Sequence, residues 1–201
     1  MTAAWIVIAV AVAIVIIAAR KRKGSATPKS VWRITYSPGM PGQPTPRGAG
    51  WIFSFPSIPT AHVHYVQNFD PPRLIVGRTL IARFRITGSG FTPQESPHIP
   101  ATVSLLIQRK GDDWSALGEM QFYRWYSTQT VTLLAGEYEL SVPLDVAHWG
   151  DVYGGHDAGA FAKALANVEN IGLVFGSAGG RGHGVYADPG STFELITLEV
   201  A

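Results

Sequence analysis

The sequence predicts an all-β protein, an antiparallel sandwich or barrel with one short helix, preceded by a single N-terminal transmembrane helix. Three observations carry that expectation. An unbroken apolar run from Ala3 to Ala19 ends at the basic cluster Arg20-Lys21-Arg22-Lys23. The 22 Gly and 14 Pro of the 201 residues, with plentiful aromatics, favour short strands joined by turns over long helices. From Val31 onward, β-branched and aromatic segments recur between Gly, Pro and Asp.

The apolar run holds no charge, Gly or Pro, and its roughly 17 residues reach about 26 Å as a helix, the lower limit for crossing a bilayer core. Trp5 and Arg20 extend that reach by anchoring in the headgroups. A cleavable signal peptide would carry its positive charge before the run. A buried core helix would show a polar stripe, and Ile6 to Ile17 shows none. Residues 1–23 are therefore expected to be a retained anchor with its basic stop cluster. Because Lys and Arg resist translocation, the rest of the chain is expected in the cytoplasm.

Residues 24–50 read as a linker that holds a candidate first strand, Val31 to Tyr36, and a Pro/Gly-rich loop, Ser37 to Gly50. That loop lies ordered on the domain or leaves the first strand semi-detached; it suits neither a helix nor an interior strand. Residues 51–201 are expected to form the domain. Strand-like segments run over Trp51 to Phe55, Ala61 to Gln67, Thr79 to Thr87, Ala101 to Lys110, Met120 to Tyr126, Thr130 to Leu134, Tyr138 to Val142, Asn170 to Phe175 and Ser191 to Val200. In Thr79 to Thr87, Leu80, Ala82, Phe84 and Ile86 share one face, while Ile81, Arg83 and Arg85 share the other. Asp157 can cap a helix from Ala158 to Val168, with Phe161, Leu165 and Val168 on one side.

Composition excludes several functions. With no Cys, disulfides, Cys-ligated zinc and thiol catalysis are ruled out. Five of the sixteen basic residues lie at positions 20–29. From Ser30 onward eleven basic residues face fourteen acidic ones, so the domain is acidic by three charges and the basic pI does not point to nucleic acid. The basic cluster suits anionic lipid headgroups instead.

The stretch from about Leu74 to Val200 resembles galactose-binding-type, carbohydrate-binding β-jelly-rolls. The residues responsible are Gly77 to Ile86, Val131 to Leu144, Val168 to Phe175 and the final strand Phe193 to Val200. Trp149 follows Pro143-Leu144 at a distance similar to that in such domains. The resemblance implies a jelly-roll sandwich with a glycan-binding surface. Gly111-Asp112-Asp113-Trp114, Arg124-Trp125-Tyr126 and Gly182-His183-Gly184-Val185-Tyr186 are similar to short signatures of a family of small membrane-anchored bacterial or phage proteins.

Sugar-binding sheets place flat rings against the apolar face of a pyranose, with Arg, amides or carboxylates nearby for its hydroxyls. On Phe122 to Tyr126, either Tyr123 and Trp125 point outward, or Phe122 and Tyr126 do so with Arg124; Trp114 belongs at the rim, unless these rings are core packing. The glycine-dense stretch Gly176 to Gly184 lacks the Lys and Ser/Thr of a phosphate loop and reads as a flexible connection. Arg181 and His183 are its reactive side chains.

His62-x-His64 has metal-ligand spacing but no third ligand nearby. A structural calcium would suit the loops carrying Asp145, Asp151 and Asp157, with His148, His156 and His183 beside them, although the spacing matches no ordered calcium loop. No hydrolase elbow, metalloprotease helix or kinase set is present, and Glu137 and Glu139 alone do not make a glycosidase.

The expectation is a membrane-anchored, non-catalytic binding module for a carbohydrate or protein, using Trp114, Tyr123, Arg124, Trp125, Arg181 and His183, with membrane lipid as the partner of residues 3–23. The alternative is a structural or assembly protein of a phage or bacterial envelope with no small ligand. A cytoplasmic domain favours a protein partner, whereas polysaccharide binding suits the cell exterior.

Overall fold

A computed structural model describes residues 31–37, 39–40 and 42–201. Among these, no helix is long and apolar enough to cross a membrane; the expected anchor and its basic cluster lie outside the described residues. The described chain begins with β1 (Trp32–Thr35), β2 (Thr45–Arg47), β3 (Gly50–Ser54) and β4 (Tyr65–Asn68). It continues through β5 (Thr79–Thr87), β6 (Thr92–Pro93) and β7 (Ala101–Arg109). A 3-10 helix, Gly118–Phe122, leads into β8 (Arg124–Ser127), β9 (Val131–Thr132), β10 (Gly136–Pro143) and β11 (Trp149–Gly150). Helix α1 (Ala158–Ala166) precedes β12 (Val168–Ser177), β13 (Val185–Tyr186) and β14 (Thr192–Val200).

These strands form a seven-stranded sheet in the order β1-β4-β12-β7-β8-β11, with β9 paired to β7, and a five-stranded sheet in the order β10-β5-β14-β3-β2. All pairings in both are antiparallel. The sheets bury their facing sides in one apolar core that joins Leu105, Leu173 and Phe175 of the first to Phe53, Phe84 and Phe193 of the second. Phe175 stands edge-on to Phe193 at 5.3 Å between ring centres and to Phe53 at 5.8 Å, an arrangement favoured by the positive edge and negative face of aromatic rings.

Pairing begins before residue 51. β1 hydrogen-bonds to β4 at one sheet edge, and β2 pairs with β3 at the edge of the other. Pro46 fits in β2 because an edge strand has one unpaired side, where a missing N–H costs nothing. Within the Pro/Gly-rich stretch, Thr45–Arg47 is thus held as an edge strand of the sandwich.

Helix α1 is the expected one, with the Asp157 carboxylate accepting from the Ala160 N–H at 2.7 Å. Its Phe161 ring lies edge-on to Trp125 at 5.0 Å and stacked on Trp149 at 6.0 Å. The helix stops at Ala166, so Val168 opens β12 instead of extending the apolar stripe.

Three strand expectations need correction. Ala61 to Gln67 becomes a strand only from Tyr65, with Val63 in an isolated bridge to Val185. Met120 to Tyr126 is not one strand: Gly118, at φ 56°, starts a 3-10 turn, and the extended backbone begins only at Arg124. Thr130 to Leu134 contributes only Val131–Thr132 to a sheet, while Leu134 is 62 % exposed.

Candidate functional site

Much of the outer face of the seven-stranded sheet, the one turned away from the core, is also buried, although Arg33 at its β1 edge is exposed. Every residue of β7 from Ala101 to Gln108 is buried, on both faces. On that outer face a row of polar side chains crosses the sheet in strand order. Thr35 of β1 donates to Gln67 of β4. Gln67 Nε2 donates to Asn170 Oδ1 at 2.6 Å and to Gln108 Oε1 at 2.7 Å, and Asn170 Nδ2 donates to the same Gln108 oxygen at 2.6 Å. Gln108 Nε2 donates to Asp112 Oδ2 at 2.7 Å, and Arg124 Nε lies 2.9 Å from that oxygen. A bulge between Val168 and Asn170 sets Asn170 opposite Gln108, which completes the row. Buried amides are tolerated only when bonded, and these are bonded to one another.

The row ends at Arg124, whose side chain is 7 % exposed and whose partner Asp112 is 0 % exposed. Asp112 also organises the turn above: its Oδ1 accepts the Trp114 N–H at 3.0 Å, and the Trp114 ring covers the Arg124 guanidinium at 4.8 Å. Tyr36 stacks on Trp114 at 4.7 Å with 18° between the planes. The result is a cluster in which Trp114 contacts both the Arg124 guanidinium and the Tyr36 ring.

Beside this cluster lies a cleft of about 560 Å³, within the size range of small-molecule sites. Tyr65 and Tyr126 line it with their hydroxyl oxygens 3.3 Å apart. Burial pushes both phenols above their ordinary range, most strongly Tyr65, so both stay protonated; one O–H bonds the other oxygen, and the second hydroxyl keeps its proton to donate. Tyr36 and Tyr153 stand at the rim, 62 % and 69 % exposed. Arg181 and His183 reach the cleft from the glycine-dense loop.

That loop is held in place by its own backbone bonds. Gly182 and Gly184 both donate to the Phe175 carbonyl, and Ser177 and Gly180 bond each other in both directions. Gly182, at φ 81°, presses so close to Tyr65 that a Cβ there would stand 2.0 Å from the phenol oxygen. Glycine is thus what lets the loop lie against Tyr65 at the side of the cleft.

The strained backbone of the described residues gathers at the same place. The non-glycine residues with positive φ are Tyr36 (54°), Trp114 (66°) and Ala116 (57°). Tyr36 and Trp114 are stacked together, and the Tyr153 hydroxyl donates to the Ala116 carbonyl at 3.1 Å. Such conformations cost about 1–3 kcal/mol each and persist where the surroundings over-determine them.

Of the side chains expected at a site, the cleft gathers Trp114, Arg124, Arg181 and His183. Trp125 is a correction to the first of the two outward readings: it faces the core at 0 % exposure, its indole N–H donating to the Phe122 carbonyl at 2.9 Å. Arg124 and Tyr126 take the outward positions, since neighbours on a strand alternate. Tyr123 falls at the end of the 3-10 helix, half-buried under the Arg109 guanidinium at 4.3 Å, outside the cleft lining. The strand parity of Tyr65 and Gln67 was the available signal for the outer face, whereas nothing local marked Tyr36 or Tyr153.

The carboxylates weighed for calcium are spent on local turns: Asp145 accepts from Ala147 and contacts His148, Asp151 accepts from Tyr153 and Gly155, and Asp157 caps α1. Among the described residues no three His, Asp or Glu side chains form a metal-binding group. His62 and His64 do come together, ring centres 4.5 Å apart, with His64 Nδ1 2.6 Å from the Gly182 carbonyl oxygen. Burial pushes the His64 imidazole down to about 4, against the bond to Gly182. His183 instead meets Glu95 at 2.6 Å.

Chemically, the cleft lining offers phenol and guanidinium donors, exposed rings and one carboxylate, Asp151. No protein-family model matches the sequence, and no curated protein or solved structure matches it either.

Proposed function

We propose that this protein is a non-catalytic carbohydrate-binding module whose β-sandwich is of the jelly-roll type, with the glycan seated in the cleft on the outer face of the seven-stranded sheet. The observation that carries the reading is the pairing of exposed rings with fixed donors. Tyr36 and Tyr153 offer apolar faces at the rim, while the pair of Tyr65 and Tyr126, together with Arg124, supplies donors from a rigid floor. A pyranose has the complementary surfaces, a C–H face and a ring of hydroxyls. The buried amide row supports Arg124 from below, so little side-chain freedom remains to be lost on binding.

In this reading Trp114 is a structural ring, because it is already engaged by the Tyr36 stack and the Arg124 guanidinium. The ring free to meet a sugar is Tyr36. The apolar run at residues 3–19 tethers the module to a membrane. Its orientation decides which glycans the module meets, and protease added to intact cells reads that orientation: a spared domain is cytoplasmic.

The full chain, purified and applied to an oligosaccharide array, should bind a defined subset of glycans, and Tyr36→Ala should weaken that binding by about tenfold, the loss of one ring contact. An array with no bound glycan, together with retained partner-protein capture by the Tyr36→Ala variant, would favour the assembly-protein alternative.

A further inference from the structure

We infer that the cleft selects acidic glycans, with the Arg181 guanidinium taking the carboxylate of a uronate-type sugar. This rests on the reading of the cleft as a glycan site. The two guanidiniums that line the cleft differ in one respect. Arg124 is already neutralised by buried Asp112 at 2.9 Å. Arg181 has no carboxylate within ion-pair distance among the described residues. Its one hydrogen bond is a long one, from Nη2 to the Thr128 carbonyl at 3.4 Å; its Nε is buried without a hydrogen-bond partner, as Nε and Nη2 of Arg124 are, so the counter-ion is what separates the two.

A half-buried cation without a counter-ion is costly, because desolvation is not offset by attraction. Burial accordingly lowers the affinity of Arg181 for its proton relative to an ordinary arginine. An anion in the cleft would relieve that cost and use the planar fork of N–H donors, whose spacing fits a carboxylate edge-on.

The carboxylate in the lining disfavours a dianion such as a phosphate more than a monoanion. One cation is unpaired, and Asp151 also lines the cleft, its Oδ1 held by the Tyr153 and Gly155 N–H groups at 2.8 Å. Glu95 already pairs with His183 at 2.6 Å, so that imidazole adds no free positive charge. A second negative charge on the ligand would meet Asp151 with nothing to offset it. A uronate places one carboxylate at the edge of a ring whose flat face can lie on Tyr36.

The test compares the full chain on an array of uronate- and neuraminate-bearing oligosaccharides and their neutral counterparts, followed by titration with the tightest acidic ligand and its methyl ester. The acid should bind at least about tenfold more tightly than the ester, the scale of one desolvated charge-assisted contact. Added salt should weaken binding of the acid and leave the ester unchanged. Arg181→Gln should bring the acid down to the affinity of the ester while the ester binds as before, and Arg181→Lys should retain part of the preference. Equal binding of acid and ester, or a preference that survives in Arg181→Gln, overturns acid selection and leaves the glycan reading standing. Binding to no oligosaccharide of either kind overturns both. The salt and ester comparisons use the unaltered chain, so a poorly folding variant does not remove the test.

Discussion

On the five-stranded sheet, the residues that alternate with the core include Arg83, Arg85, Glu137, Glu139 and Glu199, and they meet water as a ladder of ion pairs. On the seven-stranded sheet, the equivalent outward positions hold Gln67, Gln108, Asn170, Arg124 and Tyr126, and all are buried. The same period of two builds both faces. A solvated face can leave any of its charges to water, so its pairs stabilise little. A buried polar face has no such recourse, and every group on it must be bonded inside the protein. A fold covers polar groups in that way at a cost that an apolar face would avoid, and the strained rim beside them places the same cost next to a cleft.

The inner face sets the scale for breaking this contrast. Trp125, fully buried against Phe161, should cost about 3–5 kcal/mol as Trp125→Ala, the loss of a large core ring. Denaturant unfolding measures it. On the outer face Asp112→Ala should cost about 3 kcal/mol, because it strands the Arg124 guanidinium without its counter-ion. Asp112→Ala together with Arg124→Met should recover much of that loss, since removing both charges leaves no buried ion. A double variant no more stable than the single one would show that the row is held by something other than charge pairing.

The His pair beside the cleft adds a pH dependence. The folded protein holds His64 at about 4, chiefly by burial, against an ordinary value near 6.5 in the unfolded chain. Between those values the unfolded state binds more protons. Stability is therefore full above about pH 6.5, falls as pH drops toward 4, and levels off below, once both states are protonated. Burial lowers His62 as well, in the same direction. Because His64 is only partly buried, screening leaves about 1–2 kcal/mol of this effect. Urea midpoints between pH 7.5 and 4.5 should show it, and His64→Gln should flatten the slope.

Much of the sandwich was legible in the sequence because the signals were local. β5 matches its expected bounds, with Leu80, Ala82, Phe84 and Ile86 all inward, since strict alternation over nine residues leaves little choice. Asp157 marked its helix because a cap and an apolar stripe adjoin in sequence. The cleft was legible in part. Trp114, Arg124, Arg181 and His183 were named for chemistry, and the fold brings them together. Trp125 was misplaced in one reading because a strand segment with rings on both faces does not reveal which face meets the core; the 3-10 helix before β8 and the Phe161 wedge decide that. Tyr36 lay beyond reach for a different reason: its partners Tyr65 and Trp114 are remote in sequence and meet only through the β1–β4 pairing and the Asp112 turn.

Tyr36→Gly separates strain from binding on the covered face. Glycine relieves the φ of 54°, a gain of about 1–2 kcal/mol, while loss of the Trp114 stack costs about 0.5–1.5 kcal/mol. Stability should therefore change little, and glycan binding should fall by about tenfold or more as the exposed ring disappears. A large loss of stability with binding intact would make Tyr36 a packing residue and remove the ring from the proposed site.

The smallest effect is expected on the opposite sheet, and it tests the comparison from its other side. Arg83 joins Glu139 at 2.8 Å and Glu199 at 2.6 Å, with all three side chains between 44 % and 49 % exposed. Both bonds raise the guanidinium's affinity for its proton, led by the one to Glu199. Exposed pairs of this kind return to water with little penalty, because water replaces each partner as it leaves. Arg83→Gln should therefore leave the melting midpoint and glycan binding where they were. The same type of change at Arg124, paired at a similar distance but buried, should move both. If Arg83→Gln instead destabilised the protein as strongly as a change at Arg124, burial would not be what distinguishes the two faces, and the case for the covered face as the binding surface would lose its physical basis.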